Sequence, residues 1–210
     1  MRKTDTVALV GGSNIERMRF HGFLQEQLIG SQLGGSVRVR NFGWEGDTVF
    51  EQWRDAGSTD PSKSWRQQRD WREQLGDAGA TLVLAQFGQM EAIQGVGGLE
   101  AFERAYEGLV REFMDRGRRV VLLGPTRFEG AMVAHDAALK AYVAAVRGLA
   151  SRLGVGFIDL SGIDAGTGGK GLTDNGWQWN EAGHLAVAKA VGKAFSLPVV
   201  TNGAARREIL

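Results

Sequence analysis

Apolar residues come in short runs closed by glycine, and polar helical stretches lie between them. Thr6-Val7-Ala8-Leu9-Val10, closed by Gly11-Gly12, reads as a buried strand. From Ile15 to Ile29 the apolar positions Met18, Phe20, Phe23, Leu24 and Leu28 fit a helix. Ser36 to Phe42 alternates and reads as a second strand, and the polar stretch from Val49 to about Leu75 reads as one or two helices around Ser58-Thr59-Asp60-Pro61. Thr81–Phe87, Arg119–Leu123 and Gly156–Leu160 are the remaining strands. Helices are expected at Leu99–Arg116, Ala134–Leu153 and Asn180–Phe195, with Gly117, Gly154 and Pro198 as stops.

Strands alternating with helices imply an α/β fold, a parallel sheet covered on both faces. The expected architecture is a three-layer α/β/α sandwich with a flavodoxin-like five-stranded sheet in the order 2-1-3-4-5. One domain should span residues 1–198, followed by a tail at 199–210. Ligands of such sheets bind beyond the carboxyl ends of the strands, so the informative residues should follow the strands.

Composition narrows the chemistry. The 210 residues carry 25 Lys and Arg against 24 Asp and Glu, so the basic surplus of a nucleic-acid binder is missing. There are no cysteines, which excludes disulfides, thiolate metal sites and a cysteine nucleophile. The 3 histidines, at 21, 135 and 184, would all be needed for one all-histidine metal site, so neither metal nor cofactor is expected. No apolar run approaches the ~20 residues of a membrane span. The apolar stretch Val7–Val10 is shorter than the ~7–15 residues of a secretory core. The expected location is the cytoplasm, or outside the cell had a leader been removed. Oligomeric state is not legible.

The loop after the first strand is Gly11-Gly12-Ser13-Asn14. A serine on a glycine turn before a helix has the geometry of an acyl-transfer nucleophile. Serine and asparagine are equally the preferred residues for capping a helix N-terminus, and these four residues alone favour that plainer role. Further loops follow the other strands: Asn41 to Thr48, Phe87 to Glu91, Gly124 to Glu129, and Leu172 to His184 before the last helix.

Arg40-Asn41-Phe42-Gly43-Trp44-Glu45-Gly46-Asp47-Thr48-Val49 and Leu172-Thr173-Asp174-Asn175-Gly176, together with the serine loop, resemble the SGNH hydrolases, or GDSL-type esterases. The nearest likeness is to the branch common among planctomycete-type bacterial proteins, and it runs from Val7 to about Pro198. The resemblance implies a nucleophile at Ser13 and a backbone oxyanion donor at Gly46. It places Gly12 where the family carries Asp, and Met90 where the family carries an oxyanion-binding Asn, with the acidic Glu91 beside it. Asn175 and Gln178 fall on the family's catalytic Asp and His.

Met90 has no hydrogen to donate, and losing one oxyanion donor costs roughly 2.7–4 kcal/mol of transition-state stabilisation. Gln178 cannot take a serine proton at neutral pH, and general-base assistance is typically worth about 10²–10⁴-fold. His135 is the candidate substitute base, since its loop belongs to the same end of the sheet. His184, inside the last helix, should point elsewhere, and His21 lies in the first helix. Asp174 or Glu91 would serve as a weak base if burial raised its pKa. Arg127 and Glu129 fit either a substrate anion or hydroxyl, or simply one another as an ion pair. Glu16 in a first helical turn suits the helix dipole. Trp44, Trp177 and Trp179 fit either sugar stacking or hydrophobic packing, and a Trp on each side of position 178 suggests a repacked loop.

Gly166–Gly171 lacks the spacing of a phosphate loop, and Gly95–Gly98 lacks the preceding strand of a dinucleotide fingerprint. A flavodoxin-like nucleotide binder is therefore the weakest reading. Two stronger ones stand. The joint replacements at 90, 175 and 178 favour a catalytically degenerate relative that binds a carbohydrate, an acyl ligand or a protein partner. The alternative is a serine acylesterase or carbohydrate deacetylase with an atypical base, acting on a small-molecule ester.

Overall fold

The structure is a computed structural model that describes residues 1–31, 36–50, 71–164 and 171–200. Its strands are β1 (Thr6–Gly11), β2 (Arg38–Asn41), β3 (Leu82–Gln86), β4 (Arg119–Leu123) and β5 (Gly156–Ile158). They form one 5-stranded sheet in the order β2-β1-β3-β4-β5, every pair parallel, as the sequence predicts. The helices are α1 (Ser13–His21), α2 (Phe23–Gly30), α3 (Trp71–Asp77), α4 (Gln89–Ile93), α5 (Leu99–Asp115), α6 (Asp136–Leu153) and α7 (Glu181–Ala194).

The two-residue period of the central strands sorts the core into two layers. Ala8 and Val10 of β1 with Val83 and Ala85 of β3 meet the apolar faces of α5 and α6. Val7 and Leu9 with Leu82 and Leu84 meet Ile15 of α1, Leu24 and Leu28 of α2, and Val187 and Val191 of α7. The edge strand β2 turns Arg38 and Arg40 to solvent, which blunts its open edge.

Several boundaries differ from expectation. The helix expected over 15–29 is two helices, because Gly22 adopts a left-handed conformation (φ 66°) that ends α1 and starts α2. Asp136 opens α6 after a 3-10 segment at Gly130–His135, so the long helix starts two residues later than read. The short helix α4 escapes the apolar pattern because its first turn is built by Glu91 rather than by hydrophobic periodicity. The helices expected within 51–70, with Trp53 and Trp65, lie outside the described residues, as does most of the glycine-rich loop at 165–170. Pro198 and Val200 still pack on α2: Gln27 donates to the Pro198 carbonyl at 2.8 Å and accepts from Val200 N–H at 3.3 Å. Among the described residues, no helix is long and apolar enough to cross a membrane.

His184 is buried beneath the last loop, at 2% exposure. Its ring stacks on His21 with centroids 4.3 Å apart and meets Trp179 edge-on at 5.5 Å. Neither ring nitrogen has a hydrogen-bond partner. Burial, reinforced by His21 and the Arg17 cation, pushes His184 down to about 3; the Trp179 backbone opposes this only weakly. The unfolded chain, with an ordinary histidine value near ~6.5, therefore takes up a proton that the folded chain refuses. Stability must fall as pH drops below about 6.5, with a slope of up to ~1.4 kcal/mol per unit. Glu91, pushed up by burial, works in the opposite sense, and the depressed Asp5 and Glu129 add their loss only in stronger acid. We predict that His184→Leu flattens the decline in urea midpoint between pH 6.5 and about 4.5. Parallel declines in the two proteins would refute this.

Candidate functional site

The first strand delivers Ser13 to the carboxyl edge of the sheet. The serine is not the helix cap. Gly12 occupies that position, its carbonyl accepting from Ile15 and Glu16 N–H at 3.0 Å each, and no side chain caps α1. Ser13 is the first helical residue, 5% exposed, with its hydroxyl left over from helix building. That hydroxyl accepts from the Gly46 N–H at 3.4 Å. A Cβ at position 12 would stand 2.5 Å from the Asp47 carbonyl oxygen. Any side chain at that position would therefore force the loop after β2 away, and glycine lets the two loops close on one another.

The Arg40–Val49 motif explains how Gly46 gets there. Asn41 donates to the Ile15 carbonyl at 2.7 Å and accepts from Gly43 N–H at 2.8 Å. Trp44 N–H donates to the Gly11 carbonyl at 3.1 Å. Gly43 lies so close to α1 that a Cβ there would meet Glu16 N at 2.5 Å. Asn41 and Gly43 thus clamp the loop onto α1, and Gly46, at φ 84°, turns its N–H to Ser13.

Past β3, Glu91 closes the turn. One carboxylate oxygen accepts from Gly88 N–H and the other from Val49 N–H, each at 2.8 Å. Burial pushes its carboxyl up while these N–H groups pull it down. Both oxygens are engaged, so Glu91 ties the second loop to the third. Met90 lines the pocket beside Ser13 and offers only a thioether.

Beneath these loops runs a buried amide network. Asn14 donates to Gln89 Oε1 at 3.0 Å and to the Trp177 carbonyl at 3.1 Å, and accepts from Trp179 N–H at 2.9 Å. Gln89 Nε2 donates to Thr126 Oγ1 at 3.1 Å, and Trp179 Nε1 donates to the same oxygen at 2.8 Å. Four segments of chain, after β1, β3 and β4 and before α7, meet in this cluster.

The last loop is held from three sides. Glu129 accepts from Leu172 N–H at 2.9 Å and from Thr173 N–H and Oγ1–H at 3.0 and 2.6 Å. Burial alone would raise the Glu129 carboxyl, but these donors and Arg127 keep it below its usual range. Arg17 bridges to Asp174 at 3.0 Å. Asn180 caps α7 by accepting from Gly183 N–H at 3.0 Å. Within the loop, Asn175 Nδ2 donates to Gln178 Oε1 at 2.8 Å, and Asn175 Oδ1 accepts from Gln178 N–H at 3.0 Å.

A narrow cleft of ≈ 20 Å³ gathers Ser13, Asn14, Asp47, Gln86, Met90, Glu91 and Trp177. Gly46 joins them through its N–H. Asn175 and Gln178 pair with each other beside it, and Gln178 makes no hydrogen bond to Ser13. His135 packs edge-on to Phe128 at 6.1 Å and does not line the cleft. Trp44 is 41% exposed and also lies outside its walls. Arg127 stands 3.9 Å from Glu129 and borders a separate groove with Asp136 and Lys140. Trp177 packs toward the α5/α6 layer and Trp179 toward the α1/α7 layer, so the two tryptophans anchor opposite sides of Gln178. Among the described residues, no three histidine or carboxylate side chains group as metal ligands. Sequence reasoning passed over Asn14, Gln86, Gln89 and Thr126. The available signal was a polar residue closing a strand, for Gln86, or three residues past a strand end, for the other three.

A family model described as the GDSL-like lipase/acylhydrolase family matches residues 10–186. No curated protein matches. Among solved structures, a catalytic mutant of an acetylxylan esterase from Geobacillus stearothermophilus superposes with a TM-score of 0.70 at 17% identity, over 96% of this chain and 100% of that one. An alpha/beta hydrolase enzyme from the metagenome of Lake Arreo, Spain, gives 0.66 at 19% identity, over 92% and 96%. Catalytic mutants of the Geobacillus esterase replace a serine, an aspartate, and a histidine three positions after the aspartate.

Asn14→Ala would orphan Trp179 N–H and remove one hydrogen bond each from the Trp177 carbonyl and Gln89, which keep weaker contacts with one another and with Thr126. We predict a loss of about 2–3 kcal/mol in urea unfolding, since orphaned buried polar groups cost ~1–3 kcal/mol each and partly relax. A loss below about 0.5 kcal/mol would show that the network carries no stability.

Proposed function

The chain belongs to the GDSL-like lipase/acylhydrolase family, and from that premise we propose that it is a catalytically degenerate member whose Ser13 cleft binds a small acylated molecule, an O-acetylated carbohydrate foremost. The observation that carries this reading is the closed pair at 175 and 178. In the Geobacillus esterase the catalytic aspartate and histidine have the same three-residue spacing. Here an amide donates to an amide at 2.8 Å, which copies an acid–imidazole contact in outline. Neither member of that pair accepts a proton at neutral pH. Gln178 Oε1 is already occupied by Asn175, and its nitrogen is a donor. Ser13 accepts one hydrogen bond, from Gly46, and has no base as a hydrogen-bond partner.

Binding needs less than catalysis does. The Gly46 N–H and the Ser13 hydroxyl still offer donors to a carbonyl oxygen, and Met90 and Trp177 offer apolar surface to an acyl methyl. Met90 takes away the side-chain donor that would favour the transition state over the ground state. What remains suits holding an ester rather than splitting it. The acetylxylan esterases among the structural neighbours make acetylated xylan fragments the first ligands to try.

The test is hydrolysis of 4-nitrophenyl acetate and acetylated xylo-oligosaccharides by wild type, Ser13→Ala, and the triple variant Met90→Asn, Asn175→Asp, Gln178→His. Wild type is expected to match Ser13→Ala. The triple variant is expected to gain a serine-dependent rate about 10²-fold or more above it, the scale of general-base assistance. Turnover by wild type that Ser13→Ala abolishes would make the chain a serine acylesterase with an atypical base. His135→Ala would then be the next variant.

A further inference from the structure

Three carboxamides line the Ser13 cleft: Asn14, Gln86 and Gln89. Two are spent on each other and on Trp177, Trp179 and Thr126. Gln86 is 4% exposed, and its Nε2 is sealed from solvent without a hydrogen-bond partner. Buried amides are nearly always satisfied, and one left open at a cleft calls for a physical reason. No backbone need supplies it. Gln86 closes β3, whose inward positions on that face, Leu82 and Leu84, are apolar. A leucine or methionine would continue that pattern at no polar cost.

We propose that the Gln86 carboxamide is a recognition group of the Ser13 cleft that donates a hydrogen bond to the carbonyl or carboxylate oxygen of a bound short acyl group. The proposal rests on the reading of the cleft as an acyl-binding site. Gln86 lies beside the first loop: it is the register partner of Gly11, two residues before Ser13, and its own carbonyl would stand 2.5 Å from a Cβ at Gly11. Met90, on the same wall, donates nothing. The Gln86 amide would therefore add a side-chain donor beside the Gly46 N–H and the serine itself. Neither end of the Gln86 amide is tied to a protein partner, so it can turn over to present nitrogen to the ligand. The cleft is small, and its walls carry the Asp47 and Glu91 carboxyl groups and no cationic residue, which fits a neutral acetyl ester better than a long or anionic acyl chain.

The experiment is ligand-observed NMR titration of the full chain with methyl acetate and with sodium acetate, in wild type, Gln86→Met and Gln86→Glu, with melting temperatures alongside. Wild type is expected to bind methyl acetate. Gln86→Met, which keeps the shape and removes the amide, should weaken binding about tenfold, the size of one buried hydrogen bond, while melting no lower than wild type. Gln86→Glu keeps the size but adds charge, so it should weaken acetate more than methyl acetate. The neutral probe makes the distinction: methyl acetate should weaken in Gln86→Glu as it does in Gln86→Met, and in neither if Gln86 only filled space. Unchanged affinity in Gln86→Met with binding intact in wild type overturns the role of Gln86 and leaves the acyl-binding reading standing. Failure of wild type to bind either probe overturns both. A lower melting temperature in Gln86→Met with unaltered methyl acetate affinity in Gln86→Glu assigns the amide to structure and refutes the proposal.

Discussion

The carboxamide of Asn14 is the joint on which the carboxyl edge of the sheet depends. Its donor reaches Gln89 after β3 and the Trp177 carbonyl in the last loop, and its acceptor takes the Trp179 N–H. All of these groups are buried or nearly so, where an unpaired amide costs ~1–3 kcal/mol. Leaving any partner elsewhere would orphan several groups together. The loops that carry Ser13, Met90 and Gln178 are consequently fixed with respect to one another by bonds that touch none of those three side chains. A scaffold built this way can lose its chemistry without losing its shape.

That separation explains the pattern of what is kept and what is replaced. Asn41, Gly43, Glu91, Glu129 and Asn180 each tie a loop to a neighbouring helix or loop. Asn41 and Gly43 belong to the motif on which the family resemblance rests, and the structure uses all five as fasteners. Positions 90, 175 and 178 bear no such load. There stand a thioether and two amides, where the resemblance implies a donor, an acid and a base. Asn175 and Gln178 satisfy one another at 2.8 Å, so the exchange of a charged pair for a neutral one leaves no unmatched charge and the loop keeps its turn. The tryptophans on either side, packed into opposite core layers, hold it there.

Much of the fold was legible in the sequence. Both faces of β1 and β3 are apolar, and the glycine stops between strand and helix leave little besides a parallel sheet; the order 2-1-3-4-5 follows from that alternation and from the family likeness. Gly22 was not legible as a break, because the apolar spacing runs through it and only its left-handed conformation divides the helix. Ser13, Gly46 and Met90, which the motifs placed together, do meet at one cleft, whereas Gln178 pairs with Asn175 beside it. The network of Asn14, Gln89 and Thr126 could not be placed by motif, since a polar residue after a strand reads equally as loop, cap or site until its partners far away in sequence are known. His184 shows the reverse case: its helical offset from the loop foretold that it would point away, and it is buried against His21 and Trp179.

The central claim is that Ser13 is an unactivated hydroxyl. A serine-directed fluorophosphonate reports this without any choice of substrate, because it forms a phosphonyl adduct only where a base assists the hydroxyl. Incubation of the full chain with the reagent, followed by intact mass and peptide mapping, should leave Ser13 unmodified at times when an active serine esterase is fully labelled. A stoichiometric adduct on Ser13 would contradict the account.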